Sequence, residues 1–586
     1  MMKEMKKDPA FRVSDPIILL NDFQCQAGGG NIGILLIFCT LQRKNDSVKL
    51  NAERKAQGML DWVIYNAEIL DGSGTPAFHG GVAIEDGQIA EVGNVENLPA
   101  AHVLDAAGKT LTPGFLDIHR HGDAALFQPG YGRAELMQGL TTVVNGNCGM
   151  SAAPVMPEHG AEIRNYLAPV LGMLPETAFS SMADYFRQAA RVSLPLNVGM
   201  LAGGGVLRAD VAGFGDGQLS RGELRRLHVL LNNALGDGVL GVSLGLGYAP
   251  ECFYSTEQLI EALAPLRDSG TVITVHMRQE GDGVVSALRE MITVARALRT
   301  PVEISHLKAI GKRNWNRAVP EMLRLIAGVR AEGLDMTCDV YPYTAGSTQL
   351  IHVLPPEVQS GGTGALTARL GDPAVRRKIR QRIETGTDFE NILLLVGFEN
   401  VRATGLRLPE DQELEGKPLA EIAALEGKDP FDTLFDLLER EHCAPSMIDF
   451  IAAEEDIAAI LRAPFSSVIS DAIYPAAGLL HPRVYGMTAH LLEEYTRRRN
   501  VLTLPEAVSR LTCRPACRLG LTKKGRIAPG ADADLCLFDP AAVHERATYA
   551  SPAQDAAGMD WVFVRGVPAV QRGKLTENRT GALLRR

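Results

Sequence analysis

The sequence predicts an α/β protein: a (β/α)8 barrel of parallel strands with helices outside, plus a small β domain assembled from the segments on either side of it. Three observations predict this. From Leu111 to about Gly520 the chain repeats apolar strand, turn and helix, the alternation that parallel βα units require. The stretches flanking it, from Met59 and after Gly520, share a different texture of short alternating strands divided by Asp-Gly or Gly turns, as in antiparallel sheets. A length of 586 residues supports a large core and more than one domain.

Taken in order, residues 1–58 run from a lysine-rich start through "QAGGGNIG" to "QRKNDSVKLNAERKAQG", and read as a leader with no part in the chemistry. Residues 59–113 form the first part of the β domain. The barrel spans 114–519, its strands read from "PGFLDIHRH", "LTTVVNGN", "LNVGMLAGGG", "VLGVSLGLGY", "TVITVHMR", "TPVEISHLKA", "LDMTCDVYPY" and "FSSVISDAIYP". Amphipathic helices over Ser255–Ser269 and Gly283–Leu298 separate some of them. A longer, more charged segment, about Leu350 to Phe450, exceeds one βα unit and reads as an insertion able to lie over the barrel mouth. Residues 520–586, with "KKGRIAPGADADLCLFDP" and "DWVFVRGVPAVQRGK", complete the β domain.

Composition narrows the function. Hydrophobic residues at 46% and charged residues at 22% are ordinary for a globular protein. A net charge of -10 without a basic patch argues against nucleic acid as a partner. The most apolar early stretch, "IGILLIFCTL" from Ile32 to Leu41, is too short to span a bilayer and lacks a cleavage site, so no membrane or secretory role is expected. The nine cysteines show no repeated CxxC spacing, and Cys513 and Cys517 read as buried free thiols on one helix face; a cytoplasmic location follows.

Within "TPGFLDIHRHGDAALF", His119 and His121 are two apart in a strand-like run and share a face, while Arg120 points the other way. Alone, the pair is a weakly specific signal and reads first as hydrogen-bonded histidines, with metal ligands the second reading. The other strand ends favour the metal: Cys148 follows "TTVVNGN", His276 ends "TVITVH", His306 and Lys308 end "VEISHLK", and Asp471 ends "FSSVISD". In a barrel these ends converge on one mouth. Zinc accepts imidazole, thiolate and carboxylate, keeps a position for water, and lowers the pKa of that water toward neutrality. Asp471 is then placed to accept the proton and pass it to a leaving nitrogen, which fits amide hydrolysis of a small-molecule substrate.

These motifs, with "HMRQEGD", "EISHLKAIGKRNW", "DVYPYTAGST", "HPRVYG", "LTCRPACRLGL" and "KGRIAPGADADLCLFD", resemble the amidohydrolase superfamily and, within it, the N-acyl-D-amino-acid deacylases or D-aminoacylases; they run in order from about Met59 to Gly573. The resemblance implies a metal-dependent hydrolase barrel with a β-sandwich built from both ends. It implies one tight zinc on Cys148, His276 and His306, and a second, weaker metal position on His119, His121 and Asp471. It further implies that Lys308 and Tyr248 stand near the scissile carbonyl, and that Arg483, Tyr341 and Ser347 hold the α-carboxylate of an N-acyl amino acid, an arginine fork suiting a carboxylate. Each has an alternative: packed aromatics for Tyr248 and Tyr341, a surface ion pair for Arg483, a solvated helix position for Lys308.

Two departures stand out. Relatives carry a small or hydroxyl residue between the paired histidines where this chain has Arg120. No Arg or Lys lies between Thr348 and Val358, where members handling acidic residues tend to have one, which favours a neutral or apolar D-side chain. The remaining histidines, His352 among them, read as surface or core, and His481 as orienting the loop of Arg483. A cyclic-amide hydrolase of the dihydroorotase or hydantoinase kind is the competing enzyme reading, disfavoured because Cys148 stands where those relatives carry a carboxylated lysine. A non-catalytic scaffold is the third reading, disfavoured because the ligand types are all present.

Overall fold

The computed structural model describes residues 58–175 and 179–586. The leader expected over residues 1–58, including the Ile32–Leu41 stretch, lies outside the described residues but for Gly58. Leu60 to Arg586 form one body, which holds all the elements named below.

Five strands come first: β1 Leu60–Ile69, β2 Phe78–Glu85, β3 Gln88–Gly93, β4 Ala100–Asp105 and β5 Thr110–Pro113. Seven barrel strands come next: β6 Phe115–Asp117, β7 Leu140–Asn145, β8 Asn197–Gly203, β9 Gly241–Gly245, β10 Val272–His276, β11 Val302–Ile304 and β12 Met336–Val340. The insertion supplies β13 Ala345–Gln349, β14 Val401–Thr404 and β15 Ser446–Phe450; β16 Ser466–Val468 is the eighth barrel strand, and β17 Leu535–Phe538, β18 Met559–Val564, β19 Val567–Gln571 and β20 Lys574–Leu575 end the chain.

The eight barrel strands pair in parallel in the order β16-β12-β11-β10-β9-β8-β7-β6. Strands such as β7, β8 and β9 are buried along their whole length, as expected of a parallel sheet covered on both faces. The barrel closes just beyond the last ladder rung. There Arg120 bridges Ala472, the Asp471 amide donates to His119 O (2.9 Å) and the His121 amide to Ala472 O (2.9 Å).

Strands from both flanks form one nine-stranded sheet in the order β20-β19-β18-β17-β5-β1-β2-β3, with β4 also on β1. Three strand steps from β18 to β1 would place flat neighbours about 14 Å apart. Yet the rings of Trp561 and Trp62 are 5.8 Å apart, so the sheet folds back on itself as a sandwich around Ile64, Val82, Leu111, Leu535 and Phe563.

Three details differ from expectation. The helix read over Ser255–Ser269 is shorter: Thr256–Ala262, then a 3-10 turn at Ala264–Leu266, because Pro265 lacks the amide that would extend the α ladder. The insertion's own sheet, in the order β13-β15-β14, begins at Ala345, ahead of the boundary read at Leu350. Cys513 and Cys517 are free thiols on one helix face with sulfurs 3.6 Å apart, but Cys517 is exposed. Among the described residues, no helix is long and apolar enough to cross a membrane.

Candidate metal centre and active site

Five strands deliver six ligand-type side chains to one place. His119 and His121 lie just past β6, Cys148 three residues past β7, His276 at the end of β10, His306 two past β11, and Asp471 three past β16. Cys148, His306 and Asp471 have φ of 52°, 37° and 53°, left-handed conformations that cost a non-glycine residue of order 1 kcal/mol and that cluster at functional sites. Each turns the chain so that the side chain enters the mouth.

The polar atoms form a continuous chain of contacts. His121 Nε2 is 3.2 Å from Asp471 Oδ1, and Asp471 Oδ1 is 3.4 Å from His119 Nε2. His119 Nε2 is 3.2 Å from Cys148 Sγ, Cys148 Sγ 3.4 Å from His306 Nε2, and His306 Nε2 3.2 Å from His276 Nδ1. All six residues are buried. His119 Nδ1, His121 Nδ1 and His276 Nε2 have no hydrogen-bond partner among the described residues.

Around this cluster, Glu280 Oε1 lies 3.0 Å from His306 Nδ1 and Glu280 Oε2 accepts from Lys308 Nζ at 2.5 Å. His306 Nδ1 is thus flanked by Glu280 and, at 2.9 Å, by Lys308 Nζ; a ring proton on Nδ1 donated to Glu280 would leave Nε2 free, the usual outer support of a ligating histidine. Burial pulls the Lys308 ammonium down, but Glu280 outweighs it and keeps Lys308 protonated. Burial pushes Asp471 up, yet the Arg483 guanidinium and the paired histidines hold it well below the usual carboxylate range. Burial pushes His276 down to about 3 and so keeps it neutral.

A cavity opens onto the cluster, lined by His121, Cys148, His276, His306 and Asp471 and by Lys308, Tyr248, Tyr341 and Ser347. Tyr248 OH is 2.9 Å from Thr348 Oγ1, its ring 4.5 Å from that of His276, and burial keeps its phenol neutral. Ser347 Oγ donates to Met447 O at 2.8 Å. Arg483 stands behind the wall: fully buried, it holds Asp471 Oδ2 at 3.1 Å, donates to Ser347 O at 3.0 Å and stacks 4.7 Å over the Tyr341 ring. His481 Nδ1 accepts from the Arg483 amide at 3.0 Å. Arg120 faces away from the cluster, donating to Asp117 (3.1 Å), Glu135 (2.8 Å) and the Tyr474 hydroxyl.

Sequence reasoning passed over four residues that reach this cavity: Glu280, His352, Glu390 and Asp449. His352, read as surface or core, has Nε2 2.9 Å from Glu390 Oε1 and its ring 4.4 Å from Tyr248. Glu390 also accepts from the Glu280 amide at 2.6 Å. Burial pushes Asp449 up to about 6, with the neighbouring Glu390 charge adding and Lys308 opposing. Glu280 had a signal, standing four residues after His276 in "HMRQEGD"; Glu390 and Asp449 lie in the insertion, where only the fold brings them to the barrel.

Comparison with known proteins finds relatives along most of the chain. A model described as the amidohydrolase family matches residues 102–568. A D-aminoacylase from Alcaligenes xylosoxydans xylosoxydans is 31% identical over 529 residues, 90% of this chain and 98% of the relative. An N-acyl-D-aspartate deacylase from the same organism is 31% identical over 533 residues, covering 90% and 96%. The crystal structure of an N-acyl-D-glutamate deacylase from Bordetella bronchiseptica, complexed with zinc and a phosphonate inhibitor, superposes with a TM-score of 0.76 at 30% identity, over 90% of this chain and 100% of that one.

Proposed function

The chain belongs to the amidohydrolase family, and from that premise we propose that it hydrolyses the amide bond of N-acyl-D-amino acids with zinc, releasing a carboxylate and a free D-amino acid. The observation that carries this reading is the buried chain of contacts from His121 through Asp471, His119, Cys148 and His306 to His276.

The residues fit a zinc ion. Neighbouring ligands of a tetrahedral zinc with nitrogen and sulfur donors are about 3.3–3.6 Å apart. The adjacent contacts here are 3.2–3.4 Å, close to that spacing. The four ligand atoms that all lie within 4.8 Å of one another belong to His119, Cys148, His306 and Asp471; the family resemblance would instead give the tight ion to Cys148, His276 and His306 and a weaker second one to His119, His121 and Asp471. Cys148 Sγ touches histidines of both sets, the role that a cyclic-amide hydrolase gives to a carboxylated lysine. Bound there, zinc supplies Lewis acidity that polarises a carbonyl and lowers the pKa of water.

The protein's own groups account for the rest. Asp471, ionised and lining the cavity, takes a proton from the attacking water and delivers it to the leaving nitrogen. Lys308, protonated, and Tyr248, neutral, donate hydrogen bonds to the carbonyl oxygen as it gains charge, where burial strengthens each of them. Tyr341 and Ser347 line the end of the cavity that receives the α-carboxylate, with Arg483 behind them supplying positive charge.

The test is amine release from paired N-acetyl-D- and N-acetyl-L-amino acids, methionine, leucine and glutamate, with zinc supplied. Hydrolysis of D-forms alone is expected. Turnover of ring amides with none of these substrates would favour the cyclic-amide alternative.

A further inference from the structure

The cavity is more acidic than the reaction requires. Four carboxylates line the cavity, Glu280, Glu390, Asp449 and Asp471, against one lysine, Lys308. Three of them are matched: Glu280 by Lys308, Asp471 by Arg483, and Glu390 by His352 and the Glu280 amide. Asp449 is not. It is 2% exposed, and its Oδ1 has no hydrogen-bond partner among the described residues.

A buried carboxylate without a donor is costly, and an ionised one more so. Its placement is nonetheless tightly built. Asp449 sits on β15, the central strand of the insertion sheet, opposite Gly346 of β13 and Val401 of β14. A Cβ at position 346 would lie 2.9 Å from Asp449 Oδ1, so the glycine leaves the room that the carboxylate occupies. Ile451, two residues on, comes within 3.0 Å of the same point and lines the cavity with Ile310 and Ile392. An apolar wall beside an unmatched carboxylate suits an alkyl stem with a cationic head.

Building on the deacylase reading, we propose that Asp449 is a specificity-determining residue whose partner is a primary ammonium or guanidinium carried by the substrate in addition to its α-carboxylate. The cation completes the hydrogen bonding of Asp449, with Glu390 adding to the attraction. This keeps one half of the expectation drawn from the lack of Arg or Lys between Thr348 and Val358, that acidic side chains are disfavoured, and departs from the other half: Asp449 selects cationic over neutral ones. The cation can sit in the D-side chain, as in lysine, or on the acyl group, as in an aminoacyl-D-amino acid.

Sulfonamides resist amide hydrolysis and separate recognition from turnover. Calorimetric titration of the zinc-loaded full-length protein would use three: N-methanesulfonyl-D-norleucine, N-methanesulfonyl-D-lysine, and N-(2-aminoethanesulfonyl)-D-norleucine. One of the two cationic ligands is expected to bind at least about tenfold more tightly than the neutral one, as befits a charge-assisted hydrogen bond, and which one does so locates the cation. Asp449→Asn is expected to erase the difference. Equal or weaker binding of both cationic ligands overturns the proposal, whatever the variant does. N-acetyl-D-lysine and N-acetyl-D-norleucine test the underlying reading separately: hydrolysis of both without any cation preference in binding sinks this inference alone, and cation-selective binding without hydrolysis of either sinks the deacylase reading alone.

Discussion

The proposed reaction would ask Asp471 to stay ionised in a buried site, to lie beside a metal and to shuttle a proton, and its neighbours divide those demands. Arg483 holds one carboxylate oxygen and the paired histidines the other. Asp471→Asn is therefore expected to lower turnover by about 10²- to 10⁴-fold, the span of a lost general base, while metal analysis still finds zinc on Cys148, His276 and His306. Cys148→Ala is expected to do the opposite, dropping zinc below one equivalent. Near-normal turnover in the first variant, or full zinc in the second, would overturn those roles. These six residues were legible because they end strands, where local pattern and position coincide. The orientation of Arg483 was not: its stacking on Tyr341 and its place behind the cavity wall depend on a helix start and an insertion strand meeting in space.

At the scale of elements, the turn that presents Cys148 leans on the segment after β9. Glu251 Oε2 accepts from the Gly245 amide at 2.6 Å, and a Cβ at Gly149, whose φ is +72°, would lie 2.1 Å from that same oxygen. Gly149→Ala is accordingly expected to weaken zinc binding and lower the melting temperature together, both measurable on the purified variant. Burial pushes Glu251 from 4.5 up to about 8, with the Gly245 amide opposing. A raised acid holds its proton longer when folded, so its contribution favours folding at pH below 4.5 and is lost progressively as pH rises toward about 8. Glu251→Gln removes this dependence, and its melting temperature is expected to fall less between pH 5 and 8 than that of the parent; an unchanged slope would refute it. The barrel strands could be read from apolar runs between turns, and the helix Val284–Leu298 from its periodicity. The break at Pro265 was missed because the apolar periodicity continues across it, and the insertion's three-stranded sheet because its pairing partners are far apart in the chain.

At the scale of the whole molecule, the small sheet depends on both flanks of the barrel. β17 from the C-terminal side pairs with β5, and the side chains of both flanks share one core. Deleting residues 520–586 would leave β5 an open edge over exposed Ile64 and Val82, and an aggregating protein without a cooperative melting transition is expected. The barrel carries a different dependence at its seam. The first and last strands are joined beyond their ladders by the amides of Asp471 and His121, and the side chains of those same two residues meet again at the cluster, 3.2 Å apart. A cation gripped there would act as a clasp on the cylinder as well as a reagent. Stripping it with a chelator should let the staves part along this one line, so that deuterium enters the Asp471 and His121 amides well before it enters the β8–β9 ladder on another part of the wall.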